Sequence, residues 1–343
     1  MTKTVTIRDV ARSAGVSVAT ASRALNGSEL VTEATRKRVL QVMDDLQFTP
    51  SSSARRLSLG RTMTITVVTS FLTRPQAVER LRCVDAVLSD SEFDMVIYNV
   101  ETVEKRYQYL RSLPLAQRTD GMLLISLPPR REDAPRLASA TVPIVAIDVH
   151  SDTLSVLPRV MGDDIAGGEL AARHLLELGH RQIGYIGDAF ENPFGFTSSR
   201  DRFAGYERAL ASVGLTPRPE WVALGAHGRY EARELACRLL SEPNPPTAIF
   251  AASDTQALGV IAAAHEMGLD VPGDLSIVGY DDIEAAEYVG LTTVSQRLFE
   301  SGRLGAKLLL KEIEQRSVVP SSANLPPDLV IRATSAPNKG GPA

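Results

Sequence analysis

Apolar positions divide the chain into a short helical head and a long body in which strands and helices alternate. In the head, Thr6, Ser17 and Thr32 each precede a run with helical spacing, as helix-capping residues do. The first run places Val10, Ala11 and Ala14 on one face, and Asp9 completes a capping-box-like pair with Thr6. The pattern predicts three helices, the second over 18–25 and closed by Asn26-Gly27.

A further short helix is predicted after the head. A Pro-Ser-Ser-Ser step at 50–53 precedes the run Ala54–Leu59, which Gly60 stops. A helix this short is marginal alone in water. We expect it to form only against DNA or a partner chain.

From residue 63 onward, short apolar β-branched runs alternate with amphipathic helical segments. The predicted strands are Thr64–Thr69, Met95–Tyr98, Met122–Ile125, Ile144–Ile147, Ile183–Ile186, Ala248–Ala251 and Leu275–Val278. The predicted helices between them include Val78–Leu88, Gly168–Leu178, Arg202–Val213 and Gln256–Met267. This alternation is typical of the α/β class, in which crossover helices connect parallel strands.

The charge distribution changes the interpretation of the head. Residues 1–61 hold ten Lys or Arg and five acidic residues, a balance of +5, so the remaining chain is −9 within a net charge of −4. A basic head on an acidic body is expected when one end of a protein meets phosphates.

Cysteine usage and the N-terminus indicate the compartment. Cys83 and Cys237 are too far apart and too few for a disulfide framework or a zinc site, so we expect free thiols. The first residues show no apolar signal sequence, and no run is long enough to cross a bilayer. We expect a cytoplasmic protein with no membrane partner.

The second helix of the head carries side chains suited to DNA. Ser17, Thr20 and Ser22 are short hydroxyls that fit phosphate oxygens, and Arg23 is a long donor able to bind guanine through two hydrogen bonds. Val18 and Ala19 are small and apolar, as contact with a thymine methyl requires. On these residues alone, a small helical domain with surface hydroxyls is the alternative.

The run from Ile7 to Gly27, IRDVARSAGVSVATASRALNG, resembles the headpiece of the lactose/galactose repressor (LacI/GalR) family. The likeness continues through Thr35-Arg36, Arg38-Val39, Leu46, Pro50 and Ala54–Leu57. Departures are mild: alanines at 21 and 24 replace usual valines, Phe48 replaces a frequent tyrosine and Ser51 a frequent asparagine. The resemblance implies an all-α helix-turn-helix headpiece that binds double-stranded operator DNA, with Asn26 among the contacting residues.

The same resemblance gives the Ala54–Leu59 run a role. In the family, two such hinge helices from a dimer lie in the minor groove, and Ala54 and Leu57 occupy contacting positions. Leu57 matches the leucine that wedges into the central base step and kinks the duplex, which brings more surface into contact. Ordinary linker packing is the alternative for Leu57.

The body resembles the family's effector-binding domain, an α/β two-lobed fold like that of periplasmic binding proteins. Matching stretches include Pro143–Asp148, Gly162–Asp164, Gly179–Arg181, Gly205-Tyr206, Ser253-Asp254, Gly279–Asp282, Leu291–Val294 and Leu329–Arg332. The resemblance predicts a headpiece at 1–49, a hinge at 50–61 and a body at 62–336. The Gly/Pro-rich composition of residues 337–343 predicts a disordered tail. The first lobe is expected at about 62–161 and 293–325, and the second at about 162–292 and 326–336.

Polar residues at predicted strand ends mark a ligand cleft in the body. Asp148, Ser253-Asp254 and Asp281 each follow a predicted strand, where such folds bind ligands. By resemblance, Asp148, Arg202, Ser253 and Asp281 match the family's effector-contacting positions. Carboxylates and a planar guanidinium suit sugar hydroxyls. For Asp254 and Asp282 the alternative is helix capping.

The loop after the first strand departs most from the family. It is Ser70–Pro75, where many relatives carry an Asn-Pro-Phe-like run. Arg74 is either a cleft residue that favours an anionic or heavily hydroxylated effector, or a solvated loop charge. Phe190, Phe194 and Phe196 are candidates for a stacking face for a sugar ring.

The sequence contains none of the motifs that would support an enzymatic function. The chain lacks a Gly-x-Ser-x-Gly elbow, a P-loop lysine and a His-Glu-x-x-His run, and its five histidines show no metal spacing. We expect no cofactor and no metal. The competing classes are a transporter's sugar-binding protein, which the basic head argues against, and an α/β enzyme fused to a DNA module.

Together these features predict a homodimeric, or larger, transcriptional repressor that a small-molecule effector, a sugar or sugar derivative, controls. A twofold dimer presents two heads, so the operator is expected to be pseudo-palindromic. Whether the effector releases or promotes DNA binding, and whether the protein represses or activates, are left open by the sequence.

Overall fold

Three short helices build the N-terminal unit, and alanine-rich faces bring them close together. In the computed structural model they are α1 (Ile7–Ser13), α2 (Val18–Leu25) and α3 (Glu33–Asp45). The residues described are 5–25, 27–48, 61–114, 118–151, 157–315 and 321–339. The chain divides into two compact units, Met1–Thr62 and Met63–Ala343.

The core of the head is small because its central residues are small. Val10, Ala11, Ala21, Ala24 and Val39 are almost fully buried where the three helices meet. The predicted caps are present: the Thr6 backbone N–H donates to Asp9, and the Thr20 and Thr35 N–H groups donate to the Ser17 and Thr32 hydroxyls.

The body contains two six-stranded sheets, which confirms the predicted α/β two-lobed architecture. The first sheet has the order β11-β5-β4-β3-β1-β2, and the second β12-β10-β9-β8-β6-β7. The strands are β1 (Thr64–Ser70), β2 (Asp94–Val100), β3 (Gly121–Ile125), β4 (Ile144–Ile147), β5 (Arg159–Gly162), β6 (Ile183–Asp188), β7 (Val222–Gly225), β8 (Ala248–Ala251), β9 (Ser276–Asp281), β10 (Thr292–Ser295), β11 (Ser322–Leu325) and β12 (Asp328–Val330).

Within each sheet the paired strands run parallel, except that β12 pairs with β10 in antiparallel register. The helices of the body are α4 (Pro75–Ser89), α5 (Val103–Ser112), α6 (Ala134–Ala138), α7 (Asp164–Glu177), α8 (Ser198–Ala211), α9 (Arg229–Leu240), α10 (Asp254–Glu266), α11 (Glu284–Tyr288) and α12 (Leu298–Gln315).

Alternating side chains of each strand bury against helices on both faces of the sheet, as the period of two requires. In the first lobe, Leu123 and Ile125 pack towards α4 and α12, whereas Met122 and Leu124 pack towards α5 and α6. In the second lobe, α9 and α10 cover one face of the sheet and α7 and α8 cover the other.

Two glycines let α7 and α8 approach each other closely. A Cβ on Gly168 would lie 2.0 Å from the carbonyl oxygen of Arg202, and one on Gly205 would lie 2.0 Å from that of Ile165. Any larger residue would push the helices apart, and Arg202 would move with α8.

The described chain passes between the lobes after β5, after β10 and after β11. The sequence placed the second passage at about 292/293, but β10 pairs with β9 through Ser295, so the chain leaves the second lobe only there. The prediction of a disordered tail at 337–343 is wrong for its first three residues. Residues 337–339 are described, and the Asn338 N–H donates to the Leu178 carbonyl, an acceptor at a helix end that composition alone does not reveal. Among the described helices, none is long and apolar enough to span a membrane.

Candidate functional sites

The turn between α1 and α2 sets the geometry of the head. Gly15 has a φ of +63°, a left-handed conformation that few side chains tolerate, and the next N–H, of Val16, donates to the Ala11 carbonyl at 3.0 Å. Val16 packs against the small core. The turn therefore presents the start of α2 at the surface.

The exposed side of α2 carries the residues that the sequence selected. Ser17, Val18, Ala19 and Arg23 are exposed, and Thr20 and Ser22 are half-buried. The Ser17 and Thr20 hydroxyls lie 2.8 Å apart and hydrogen-bond to each other. Three selected residues, Asn26, Ala54 and Leu57, lie outside the described residues.

In the body, polar side chains follow the carboxyl ends of strands in both sheets and face one cleft. Ser70 ends β1, Ser126 follows β3, Asp148 follows β4, Asp188 ends β6 and Asp281 ends β9. The cavity measures about 660 Å³, including its open side. Its position matches the ligand crevice of open α/β sheets.

Arg80 of α4 is the most heavily bonded side chain of the cleft. It is 2% exposed, and its guanidinium donates to the Ser301 hydroxyl at 3.1 Å, the Ser126 hydroxyl at 2.9 Å and the Gln296 side-chain oxygen at 3.0 Å. It also forms an ion pair of 2.9 Å with Asp148. All its partners are fixed, so Arg80 organises the first-lobe wall of the cleft.

Asp148 is held as a carboxylate. Burial alone would raise its pKa, but Arg80, His150 and Arg202 outweigh burial, so the pKa of Asp148 is lowered. Its Oδ2 accepts from the Ser126 hydroxyl at 2.9 Å. The residue has a φ of +54°, and this turn directs the carboxylate into the cleft.

Arg202 of α8 plays the corresponding part in the second lobe. Its Nε donates to Asp164 at 2.8 Å, its Nη1 donates to the Ala252 carbonyl at 2.5 Å, and Asp281 lies 3.5 Å away. The guanidinium also stacks 3.7 Å above the Tyr280 ring. Burial alone would lower the pKa of Arg202, but the carboxylates of Asp164 and Asp281 raise it.

Asp281 is a buried carboxyl group with an unusual proton affinity. Burial raises its pKa to about 6, although Arg202, a hydrogen bond from Gln296 and His227 favour the ionised form. The group therefore changes charge near neutral pH, unlike an ordinary aspartate.

Asp188 anchors the second-lobe side of the cleft. Its carboxylate accepts from the Gln256 amide at 2.9 Å and lies 3.2 Å from Nδ1 of His227. Ser253 caps α10 by accepting from the Gln256 N–H at 3.2 Å, and its hydroxyl donates to the Gln256 side chain at 3.0 Å. This wall presents acceptors and donors in fixed positions.

Arg74 lines the cleft rather than facing solvent alone. Its guanidinium lies 4.1 Å from the centre of the Phe71 ring. Burial lowers the pKa of Arg74, and the carboxylates of Asp188 and Asp281 partly offset this effect. Of the two alternatives left by the sequence, the cleft position is the one observed.

The five residues selected for the cleft, Asp148, Arg202, Ser253, Asp281 and Arg74, come together in it. Asp254 does not line the cavity: it is fully buried, and it accepts from the Ile283 N–H at 2.9 Å and the Thr293 hydroxyl at 2.5 Å. Sequence reasoning missed Arg80, Asp188, His227, Gln256 and Gln296. Asp188 could have been found by the strand-end rule that selected Asp148.

Asp148, His150 and Asp164 bring possible metal-ligating atoms within 4.8 Å of one another. Arg80 and Arg202 already pair with the two carboxylates. The two arginines neutralise these acids, so the trio is accounted for as part of the ion-pair network.

Comparison with known proteins covers nearly the whole chain. A family model described as bacterial regulatory proteins, lacI family, matches residues 6–51, and one described as a periplasmic binding protein-like domain matches 172–335. The HTH-type transcriptional repressor PurR of Haemophilus influenzae (strain PittEE) is 32% identical over 337 residues, 95% of this chain and 97% of that protein.

Two solved structures are also similar. The lac repressor dimer bound to operator and the anti-inducer ONPF is 30% identical, with a TM-score of 0.84, and the match covers 97% of this chain and 100% of that one. The complex of the transcriptional regulator CelR with cellobiose is 29% identical, with a TM-score of 0.70, covering 96% and 99%.

Proposed function

The chain belongs to the lacI family of bacterial regulatory proteins, and we propose that it binds a pseudo-palindromic operator as a homodimer under the control of a carbohydrate. It is a DNA-binding transcriptional repressor regulated by a small-molecule effector, and not an enzyme. The finer assignments concern the operator, the oligomer, the effector and the residues that bind each. A protein that binds operator DNA works where that DNA is, which supports a cytoplasmic location.

The exposed side of α2 supports base reading by the head. Ser17, Thr20 and Ser22 are proposed to bind phosphates, and Arg23 a guanine edge, with Val18 and Ala19 beside them. Asn26, Ala54 and Leu57 complete the proposed DNA-binding set from the sequence. The similar lac repressor structure is a dimer bound to operator, which supports the same arrangement here.

Exposed apolar side chains support a homodimer. Strand β2 is an edge strand of the first sheet, and it exposes Val96 by 40% and Ile97 by 37%, while Val78 of the neighbouring α4 is 41% exposed. An apolar sheet edge open to water invites pairing with another chain. A second copy that covers this surface would remove the exposure.

The cleft carries the effector proposal. Most of the residues that line its walls carry charged, amide or hydroxyl groups, and partners such as Arg80 and Arg202 fix their positions. Carboxylates and guanidinium groups in fixed geometry suit a ligand with many hydroxyls. The similar CelR structure holds cellobiose, which supports a carbohydrate. Asp148, Arg202, Ser253, Asp281 and Arg74 are the proposed contacts.

The effector proposal is tested by a thermal-shift screen against neutral sugars, sugar acids and sugar phosphates. A ligand at 100 times its Kd adds about 2.7 kcal/mol of stability. A stabilising sugar should also change operator affinity, measured by fluorescence anisotropy. Absence of any response across the panel would refute the carbohydrate assignment while leaving DNA binding intact.

The operator proposal is tested by selecting binding sites from random DNA. The selected sites should contain two inverted half-sites, and a single half-site should bind much more weakly. Selection of unrelated, asymmetric sites would contradict the dimeric arrangement.

A further inference from the structure

One loop of the second lobe inserts into the core of the first. The loop joins β6 to α8 and spans residues 189–197. Its Phe194 is 8% exposed and packs with first-lobe residues, including Val68, Leu110 and Met122. The remaining buried members of that cluster also belong to the first lobe, so Phe194 acts as a plug donated across the cleft.

A buried arginine fastens the plug. Arg106 of α5 is 3% exposed, and its guanidinium donates to the Phe194 carbonyl at 2.6 Å and the Pro193 carbonyl at 3.4 Å. It also donates to Pro128 of its own lobe at 3.4 Å. Burial lowers the pKa of Arg106, but a guanidinium stays charged in proteins, so its buried N–H groups require acceptors. If the loop left, two of them would leave with it.

The plug is connected directly to the cleft. Phe194 and Phe196 are stacked with centres 5.3 Å apart and planes within 7°, and Phe196 lines the cavity. Phe71 of the first lobe meets Phe194 edge-on at 5.2 Å and lies beneath Arg74. A ligand that contacts Arg74 or Phe196 therefore contacts side chains that hold the plug.

The loop is shaped in advance for this position. The Asn192 side-chain oxygen accepts from the N–H groups of Phe194, at 3.2 Å, and Phe196, at 2.9 Å, and its amide donates to the Phe196 carbonyl at 2.9 Å. These bonds lie within the loop. Asn192 thus orients both rings without contributing to the core of either lobe.

We propose that residues 189–197 form an inter-lobe latch, in which insertion of Phe194 into the first lobe holds the two lobes closed over the cleft. Its regulatory meaning rests on the proposed function, because the lobe arrangement is what an effector would change. The latch itself is a property of the body alone.

The test compares two latch variants with two controls in the full-length protein. Phe194→Ala removes the plug, and Asn192→Ala disorganises the loop without making a cavity. Leu110→Ala makes a cavity in the same first-lobe cluster but leaves the plug. Phe190→Ala removes a ring of the same loop that packs on Phe203 within the second lobe.

Hydrogen exchange and small-angle scattering provide the readouts. Both latch variants should increase exchange of the Phe71 amide by about tenfold or more and enlarge the radius of gyration. The amides of residues 194 and 196 are not diagnostic, because Asn192→Ala removes their acceptor directly. Leu110→Ala should lower stability without enlarging the molecule, and Phe190→Ala should leave the exchange of the Phe71 amide unchanged. If the latch variants scatter and exchange like the controls, the proposal is wrong. Failure of the wild type to bind any operator would instead refute the proposed function.

Discussion

In the head, Ser17 at the start of α2 and Arg23 on α2 lie exposed. In the body, by contrast, Arg80 and Arg202 are buried, and each is held by several partners. The head presents donors that phosphates and bases will fix on binding. The cleft fixes its donors before any ligand arrives, which lowers the ordering cost of binding. Substitutions in the cleft should therefore lower the free energy of unfolding, whereas substitutions on the exposed side of α2 should change the affinity for DNA alone.

The largest effect is expected from Arg202→Met. The substitution leaves the buried carboxylates of Asp164 and Asp281 without their guanidinium, and breaking a buried pair costs about 3–5 kcal/mol. Urea unfolding measures the loss. The control is Arg173→Gln, whose exposed pair with Glu169 on α7 should cost no more than about 1 kcal/mol. If both substitutions lowered the unfolding free energy equally, ion pairs in the cleft would contribute no more to stability than ion pairs on the surface.

Arg23→Ala tests the other side of the comparison. Operator binding should weaken by about 1–3 kcal/mol, because the proposed bidentate contact with a base is lost. The unfolding free energy should change by less than about 0.5 kcal/mol, since the side chain is exposed. Binding to operator and to random DNA is compared by fluorescence anisotropy. An equal loss on both would contradict base reading, and Arg12→Ala on the exposed side of α1 is the matched control.

The Asp281→Asn variant tests whether a buried carboxyl group of the cleft makes the stability of the protein depend on pH. The pKa of Asp281 is about 6 in the folded chain and roughly 3.9 when unfolded, so the folded state retains its proton over this interval. Its contribution to stability therefore falls as pH rises from about 4 to beyond 6. Relative to wild type, the variant should gain roughly 2 kcal/mol of unfolding free energy across that window.

Urea unfolding at several pH values measures this difference, with Asp85→Asn on the exposed side of α4 as the control. A difference between Asp281→Asn and wild type that is constant from pH 4.5 to 7.5 would show that Asp281 titrates like an ordinary aspartate.

The smallest effect on stability is expected from Leu57→Ala, a prediction made from sequence alone. The unfolding free energy should stay within about 0.5 kcal/mol of wild type, and effector binding should be intact. Operator bending should decrease, because an apolar wedge unstacks the central base step. Fluorescence between dyes at the operator ends reports the bend. An unchanged bend angle of the operator would contradict the proposed wedge role of Leu57.

The fold was predictable because its signals are local. Strand runs such as Ile144–Ile147 and caps such as Thr32 follow from neighbouring residues, and the resemblance supplied the two-lobed arrangement. Part of the cleft was predictable too, because Asp148 follows the strand β4 and Asp281 ends β9. Arg80 could also have been recognised in the sequence, because it falls on the same buried helical face as Ala77 and Val84. An arginine is buried at such a position only when its guanidinium is hydrogen-bonded.

Other features could not be read from neighbouring residues. Gln296 reaches Arg80 and Asp281 only because the chain crosses between the lobes there. Phe194 was a candidate stacking residue, but nothing in its own segment indicates that its partners lie in the other lobe. Contacts of this kind depend on the distance between two separate sheets. The local sequence pattern contains no information on that distance.

The three passages of the described chain between the lobes have a mechanical consequence. A body joined by one connector can twist and slide freely, whereas three connectors side by side leave one soft motion, a bend about the line through them. Because β5 pairs with β11 in the first sheet and β10 pairs with β12 in the second, that axis lies beside the β11 edge of one sheet and the β12 edge of the other. Binding of an effector in the cleft can therefore change the arrangement of the two lobes through a single variable, the angle between them.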